Sequence, residues 1–222
     1  MNQPDRNSDP KSIIENGCKI LGISVHADAA EKMMIHFALL REWGEKINLT
    51  ALSDPQEIAV LHYLDSLAVF KVLPVTEGMS VLDIGSGAGF PGLVIKIANE
   101  NIKLTLLDRD AKKIVFLKYA ASVLQLREIR FLNISVQTLT ENPDRPAYDV
   151  IVSRAFSLRS EWMTPLGMIL NPRGMLVRMA GPASRKEDLS LPGFELENMW
   201  EGHLPFSSHF RRIILYRKID PS

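Results

Sequence analysis

Residues 81–92 read Val-Leu-Asp-Ile-Gly-Ser-Gly-Ala-Gly-Phe-Pro-Gly. A short apolar strand closes on an acid and runs into a turn dense in glycine, then into a helix. Gly85, Gly87 and Gly89 can take positive φ and carry no Cβ, so a flat ligand can lie against bare backbone there. Pro91 suits the first turn of a helix, where its missing N–H is no loss. The free N–H groups of such a helix start favour an anionic group. Strand, glycine turn and helix together form the nucleotide-binding corner of an open α/β sheet.

Two ligands compete for that corner. Gly87-x-Gly89-x-x-Gly92 satisfies the dinucleotide fingerprint, which keeps a nicotinamide-dependent oxidoreductase open. Asp83 argues the other way, because it stands two residues before the first glycine, at a strand end that is normally apolar in dinucleotide sites. The whole string resembles the first motif of the class I S-adenosylmethionine (AdoMet) methyltransferases.

The chain has 222 residues, enough for one large domain or one domain with a small appendage, and its 46% apolar content can build a full core. Its formal net charge is zero, so nucleic-acid binding depends on local patches, and a small-molecule methyltransferase stays open as an alternative. Cys18 is the single cysteine, which excludes an internal disulfide and a cysteine-rich metal site. No apolar run approaches a membrane span, and the polar start MNQPDRNSDPK is no signal peptide. A cytoplasmic protein without metal or membrane partner is expected.

Residues 1–11 are expected to be a flexible tail, 12–73 a helical N-terminal extension, and 74–222 the methyltransferase domain. In the extension, a helix from about Ser12 ends near Gly22. Asp28 and Glu31 form a capping box ahead of Met33, Met34, Phe37, Leu40 and Trp43 at helical spacing. Asp54-Pro55-Gln56-Glu57 repeats the device before a helix carrying Ile58, Leu61, Leu64, Leu67 and Ala68, which stops before Pro74.

Beyond residue 80 the period changes. Strand-length apolar runs at 81–84, 103–107, 129–134, 148–152 and 174–179 alternate with helical patterns, most clearly 110–126. The runs 194–200 and 210–217 have only a short connection and predict an antiparallel hairpin at the sheet edge. The fold class is α/β: a class I, Rossmann-like, mostly parallel sheet with that edge hairpin.

The second strand ends in Asp108, about twenty residues after the glycines, placed to accept hydrogen bonds from ribose hydroxyls. Its bland alternative is a helix N-cap, a role that Asp110 fills better. Asp83 is expected to reach the amino group of a methionine moiety, to brace the turn, or both. After the third strand, Val136 is expected to pack on adenine and Gln137 to offer a polar contact. Arg154, in Ser153-Arg154-Ala155-Phe156 at the fourth strand's end, offers a planar fork for a carboxylate or phosphate; the alternative is a surface ion pair.

Asn48-Leu49-Thr50 after a Trp-containing helix, His62 followed by Asp65-Ser66, the glycine string, TLLDRDAKKIVFL and Val152-Ser153-Arg154-Ala155-Phe156 occur in this order. Together, over about residues 35–217, they resemble the glucose-inhibited division protein B (GidB) family, the 16S rRNA guanine-N7 methyltransferases. The resemblance implies a class I fold, AdoMet as methyl donor, a guanine of 16S rRNA or of the assembling 30S subunit as acceptor, and ligand contacts at Gly85, Phe90, Val136, Gln137 and Arg154. Two positions depart from the family. Gln137 stands where an acid is usual, and Ala180 stands where a lysine is usual, with Arg178 two residues earlier as a candidate replacement.

Guanine N7 is a bare lone-pair acceptor, so no catalytic base is required and none stands out. Cys18 lies far in sequence from the fourth strand, which argues against a cysteine-dependent pyrimidine methylation. Arg109, Lys112, Lys113, Lys118, Arg211 and Arg212 are candidate RNA contacts, with a solvated surface as the commoner explanation. His62 and Trp43 are expected to serve packing. Asn48 and Thr50 either cap the loop before the sheet or face the acceptor.

Overall fold

The computed structural model describes residues 9–154, 160–181 and 189–219. Helices α1 (Pro10–Leu21) and α2 (Ala29–Gly44) lead the chain. The first begins two residues before the predicted start, because Asp9 caps it: its carboxylate accepts the Ser12 N–H at 3.1 Å, and Pro10 takes the first helical position. Gly22 ends it in the left-handed region at φ 66°. The capping box at Asp28 does not form. Asp28 sits at φ −91°, ψ 0°, and its carboxylate pairs with His26 and Lys32 instead of a backbone N–H.

The third helical stretch is broken into types. Asp54 accepts the Glu57 N–H at 2.8 Å and opens α3 (Pro55–Ile58) as expected. A π-helical turn follows (Ala59–Leu64), then α4 (Asp65–Leu67) and a 3-10 turn (Ala68–Lys71). The wide turn has a visible partner, since the Leu61 carbonyl accepts a hydrogen bond from Arg154 Nη1 at 3.2 Å. A side chain that takes a helical carbonyl in this way locally loosens the ladder.

The sheet contains β1 (Ser80–Ile84), β2 (Lys103–Leu107), β3 (Ile129–Leu132), β4 (Tyr148–Ser153), β5 (Leu170–Ala180), β6 (Phe194–His203) and β7 (Phe210–Lys218). Its order is β3-β2-β1-β4-β5-β7-β6. The first five strands pair in parallel; β7 runs antiparallel to β5, and β6 antiparallel to β7. The expected edge hairpin is therefore present. The third strand stops at Leu132, two residues short of prediction, because Ser135 caps a helix there and accepts the Thr138 N–H at 3.0 Å.

Side chains alternate between two covered faces. Val81, Val150, Val152, Val177, Ile213 and Leu215 join α5 (Gly92–Ala98), α6 (Ala111–Val123) and the leading helices in one apolar core. Leu82, Ile84, Ile151, Leu176, Ile214 and Tyr216 join α7 (Val136–Glu141) and α8 (Met163–Met168) in the other. The chain leaves β1 toward β2 and β3 on one side and returns to β4 and β5 on the other. That reversal opens a crevice at the carboxyl ends of β1 and β4.

Candidate active site

The four glycines of the turn do two different jobs. Gly85 (φ 74°) and Gly87 (φ 56°) face open space: an added Cβ at Gly85 would meet nothing within 4 Å, and one at Gly87 only the Gly85 carbonyl at 3.9 Å. Gly89 and Gly92 are packed. A Cβ on Gly89 would lie 2.8 Å from Leu93, and one on Gly92 would lie 2.6 Å from the Asp83 carboxylate. Bare backbone is thus presented at 85 and 87 and close packing demanded at 89 and 92. Pro91 precedes α5 rather than forming its first residue.

Asp83 shares a sheet face with Val81, the side of α5, and is fully buried. Its Oδ2 accepts the Gly92 N–H at 2.9 Å, so one of the expected free donors of the helix start is already satisfied. Its Oδ1 is buried with no hydrogen-bond partner. Burial pushes the carboxyl up to about 7, against the Gly92 N–H and the Arg154 guanidinium. An orphaned buried acceptor in β1, two residues before the open Gly85, fits a ligand with a cationic donor.

Asp108 ends β2 and is nearly buried. Oδ2 accepts the Gly87 N–H at 2.9 Å and Oδ1 the Asp110 N–H at 2.9 Å, while Asp110 caps α6 through the Lys112 N–H. Each oxygen of Asp108 keeps a further lone pair for a hydroxyl donor. Val136 opens α7 and is buried, whereas Gln137 is exposed and donates to Glu141 Oε1 at 2.9 Å. Gln137, but not Val136, lines a cavity of about 480 Å³ with Glu141, Trp162 and Met168. At the position of the missing acid, a carboxylate therefore lies one helical turn later.

A second cavity, about 350 Å³, opens beside the turn. The π turn gives it Leu61 and His62, α4 gives Asp65, and the ends of β4, β5 and β7 give Arg154, Ala180 and Arg211. Asp65 is buried and accepts Arg211 Nε at 3.0 Å, with Arg154 Nη1 3.8 Å away. Burial pushes its carboxyl upward, and the two guanidinium groups hold it back. The Arg154 guanidinium lies 5.3 Å from the centre of the Phe90 ring. His62 stacks on the same ring at 4.5 Å, and its Nε2 hydrogen-bonds Thr50 Oγ1 at 2.6 Å. Burial and the Arg154 cation push His62 down to about 3.

Several expectations change here. Arg211 and Arg212 are paired with Asp65 and Glu201, and Arg211 lines the cavity. Arg109, Lys112 and Lys118 are exposed. Trp43 packs against Phe116 and Tyr119, as expected, but His62 both packs and lines the cavity. Thr50 serves His62 as well as the Leu52 N–H. Arg178 is not among the lining residues; the cations beside Ala180 are Arg154 and Arg211. Ala155 and Phe156 lie outside the described residues. Asp65 was missed as a site residue, although a carboxylate on the buried side of an apolar helix was its signal. Among the described residues no group of three or more His, Cys, Asp or Glu could hold a metal ion, and no helix is long and apolar enough to cross a membrane.

Comparison with known proteins agrees with this architecture. A protein from Myxococcus xanthus named ribosomal RNA small subunit methyltransferase G is 35% identical, over 91% of this chain and 94% of its own length. One of the same name from Clostridium botulinum is 34% identical, over 79% of this chain and 74% of its own. The crystal structure of a SAM dependent methyltransferase from Aquifex aeolicus superposes with a TM-score of 0.55 at 18% identity, covering 75% of this chain and 94% of that one, which shows the shared fold. The GidB family model, described as rRNA small subunit methyltransferase G, matches residues 29–194, and the chain belongs to that family.

Proposed function

We propose that the protein transfers a methyl group from AdoMet to N7 of a guanine in 16S rRNA, in the cytoplasm, on naked RNA or the assembling 30S subunit. The observation that carries this reading is the open backbone of Gly85 and Gly87 between two carboxylates, one with an orphaned oxygen. The cofactor, when bound, supplies a methyl group on a cationic sulfur. Asp83 Oδ1 is the acceptor for its ammonium group, Asp108 for the ribose hydroxyls, and Val136 the apolar surface for adenine. Gln137 and Glu141 supply polar contacts at the same end.

The acceptor belongs in the cavity beside the turn. Two guanidinium groups and one carboxylate give it a net positive character, suited to a phosphate or to guanine O6. N7 carries its lone pair already, so no residue has to remove a proton. The rate then derives from orientation, which can supply roughly 7–11 kcal/mol. Asp65 offsets the two arginines and moderates their repulsion of a purine that becomes cationic. Cys18 takes no part: it is buried in α1, and burial pushes its thiol up to about 11.

The test is transfer of tritium from labelled AdoMet. Undermodified 30S subunits, naked 16S rRNA and a panel of small metabolites are compared, with the product nucleotide identified by mass. Label in N7-methylguanine of the rRNA is the expected result. Label only in a metabolite, or tight calorimetric binding of NADH in place of S-adenosylhomocysteine, overturns the proposal.

A further inference from the structure

The helix α2 carries a histidine that no part of the site described above uses. His36 is fully buried. Its Nε2 lies 3.0 Å from the carbonyl oxygen of Ala88, the residue between Gly87 and Gly89, and its Nδ1 lies 2.9 Å from the Tyr63 hydroxyl. The ring also meets Tyr63 and Phe90 edge-on, with centres 5.8 and 5.4 Å apart, and Phe116 at 5.9 Å. A carbonyl can only accept, so Nε2 must carry the proton. In a neutral ring Nδ1 is then the acceptor, and Tyr63 must donate to it. Every polar atom of the pair has one defined role.

The turn is consequently held from two sides. Asp108, from β2, takes the Gly87 N–H; His36, from α2, holds the Ala88 carbonyl one residue later. Tyr63 adjoins His62 on the π turn, and His62 stacks on Phe90 in the wall of the acceptor cavity. One helical turn therefore touches the cavity with one residue and the support of the glycine turn with the next. A turn with glycines at φ 56° and 98° on either side of Ala88 has little intrinsic preference for one shape. Bonds within the turn, from the Gly89 and Phe90 N–H groups to the Ser86 carbonyl at 2.7 and 3.1 Å, select that shape together with the external hydrogen bonds to its peptide groups.

We propose that His36 is a positioning residue of the methyl-donor site: its Nε2–H fixes the Ala88 carbonyl, and with it the turn, while Tyr63 fixes the tautomer that makes this possible. The proposal rests on the reading of the turn as the cofactor cradle. It adds that the leading helices, through α2 and the π turn, belong to the donor site as well as to the acceptor side.

The test compares wild type with His36→Phe, His36→Gln and Tyr63→Phe. Phenylalanine keeps the aromatic contacts and loses both polar atoms; glutamine offers one donor and one acceptor again. Amide exchange of residues 85–90 in the ligand-free protein reports the hold on the turn, and calorimetry with S-adenosylhomocysteine reports the cradle. Loss of a buried partner should speed exchange and weaken binding by about tenfold or more in His36→Phe, with His36→Gln restoring most of both. Tyr63→Phe, which removes a single oxygen, should fall between, and KM for 30S subunits should stay unchanged in all three. Exchange and affinity in His36→Phe within about twofold of wild type, or no rescue by glutamine, overturn the proposal. If the wild type itself fails to bind S-adenosylhomocysteine, the cofactor reading falls instead, and exchange in the ligand-free protein still decides whether His36 holds the turn.

Discussion

Asp108 Oδ2 accepts the backbone N–H of Gly87 at 2.9 Å, which ties the end of β2 to the middle of the glycine turn. The carboxylate thus has a structural duty before any ligand arrives. Its other oxygen accepts the Asp110 N–H, so the same side chain also sets the start of α6.

Asp108→Ala should therefore act twice. Hydrogen bonds to a charged acceptor are worth about 1.5–3 kcal/mol each, so S-adenosylhomocysteine affinity should drop by one to two orders of magnitude. Thermal stability should fall as well, because the N–H groups of Gly87 and Asp110 lose their partner. Asp108→Asn keeps one acceptor oxygen and should recover more stability than affinity. Calorimetry beside thermal melts separates the two effects. Equal loss of both in the two variants would mean that the side chain only braces the turn.

The glycines give a contrast at constant chemistry. Gly87→Ala places a methyl group into open space at φ 56°, a left-handed conformation that costs a non-glycine residue about 1–2 kcal/mol. Gly92→Ala forces a Cβ to within 2.6 Å of Asp83 Oδ2 and 2.9 Å of Leu106. Overpacking of that kind costs about 1–3 kcal/mol and displaces the buried carboxylate. In urea melts Gly92→Ala should be the less stable of the pair, while Gly87→Ala, still folded, should show the greater loss of cofactor affinity per unit of stability lost.

Much of this architecture is legible from residue order alone. The glycine string, the switch from helical to strand period after residue 80 and the short link between the last two runs lead directly to the observed sheet and its edge hairpin. The π turn is invisible, because Ile58, Leu61, Leu64 and Leu67 recur every three residues in either helix type. Asp65 and Arg211 are 146 residues apart and His36 and Ala88 52 apart, so their pairing appears only once strand order and helix placement are known. The capping box at Asp28 failed for a local reason: His26 and Lys32 compete successfully for the carboxylate.

Asp65 is the only carboxylate lining the cavity beside the glycine turn among the described residues, and two arginines depend on it. Asp65→Ala leaves two cations facing each other in a partly buried space. Removing one member of a buried ion pair costs about 3–5 kcal/mol, so the urea midpoint should fall sharply. Asp65→Asn keeps an acceptor for Arg211 Nε and should fold well enough for kinetics. In it, methyl transfer to 30S subunits should slow while S-adenosylhomocysteine affinity stays near wild type. An unchanged rate would remove Asp65 from the acceptor site.

Asp83 offers a thermodynamic signature. Its carboxyl is pushed up to about 7, above the 3.8 of an unburied aspartate, so its stabilising contribution is complete below pH 3.8 and is lost as pH rises through 7. An ammonium placed on Oδ1 favours the ionised form. Binding of S-adenosylhomocysteine at pH 7 should then release a fraction of a proton, read as different calorimetric heats in phosphate and Tris buffers. Asp83→Asn should abolish that difference. Equal heats in both buffers for the wild type would take the ammonium away from Asp83.

His36 is one of the groups that cost the fold stability in acid. The groups against its ring are Tyr63, Phe90, Phe116 and the Ala88 carbonyl, with no charged side chain among them, and His62 is the nearest titratable ring beyond. Burial pushes the imidazole from 6.5 down to about 4, partly opposed by the Ala88 carbonyl. Between those values the unfolded chain binds a proton that the folded chain excludes. Stability is complete above pH 6.5 and declines toward pH 4, with a slope of about 1.4 kcal/mol per pH unit from this ring alone. His62 acts in the same sense, while Asp83 and Asp65, both pushed up by burial, act oppositely, so the whole-protein profile mixes several groups. Subtracting the urea-unfolding profile of His36→Gln isolates the ring. That variant should lose ground to wild type at pH 7 and regain it steadily below pH 6.5. Parallel profiles from pH 8 to 4 would mean that His36 takes up its second proton in the fold as readily as in the unfolded chain, and the donor–acceptor order from Tyr63 to Ala88 would then be wrong.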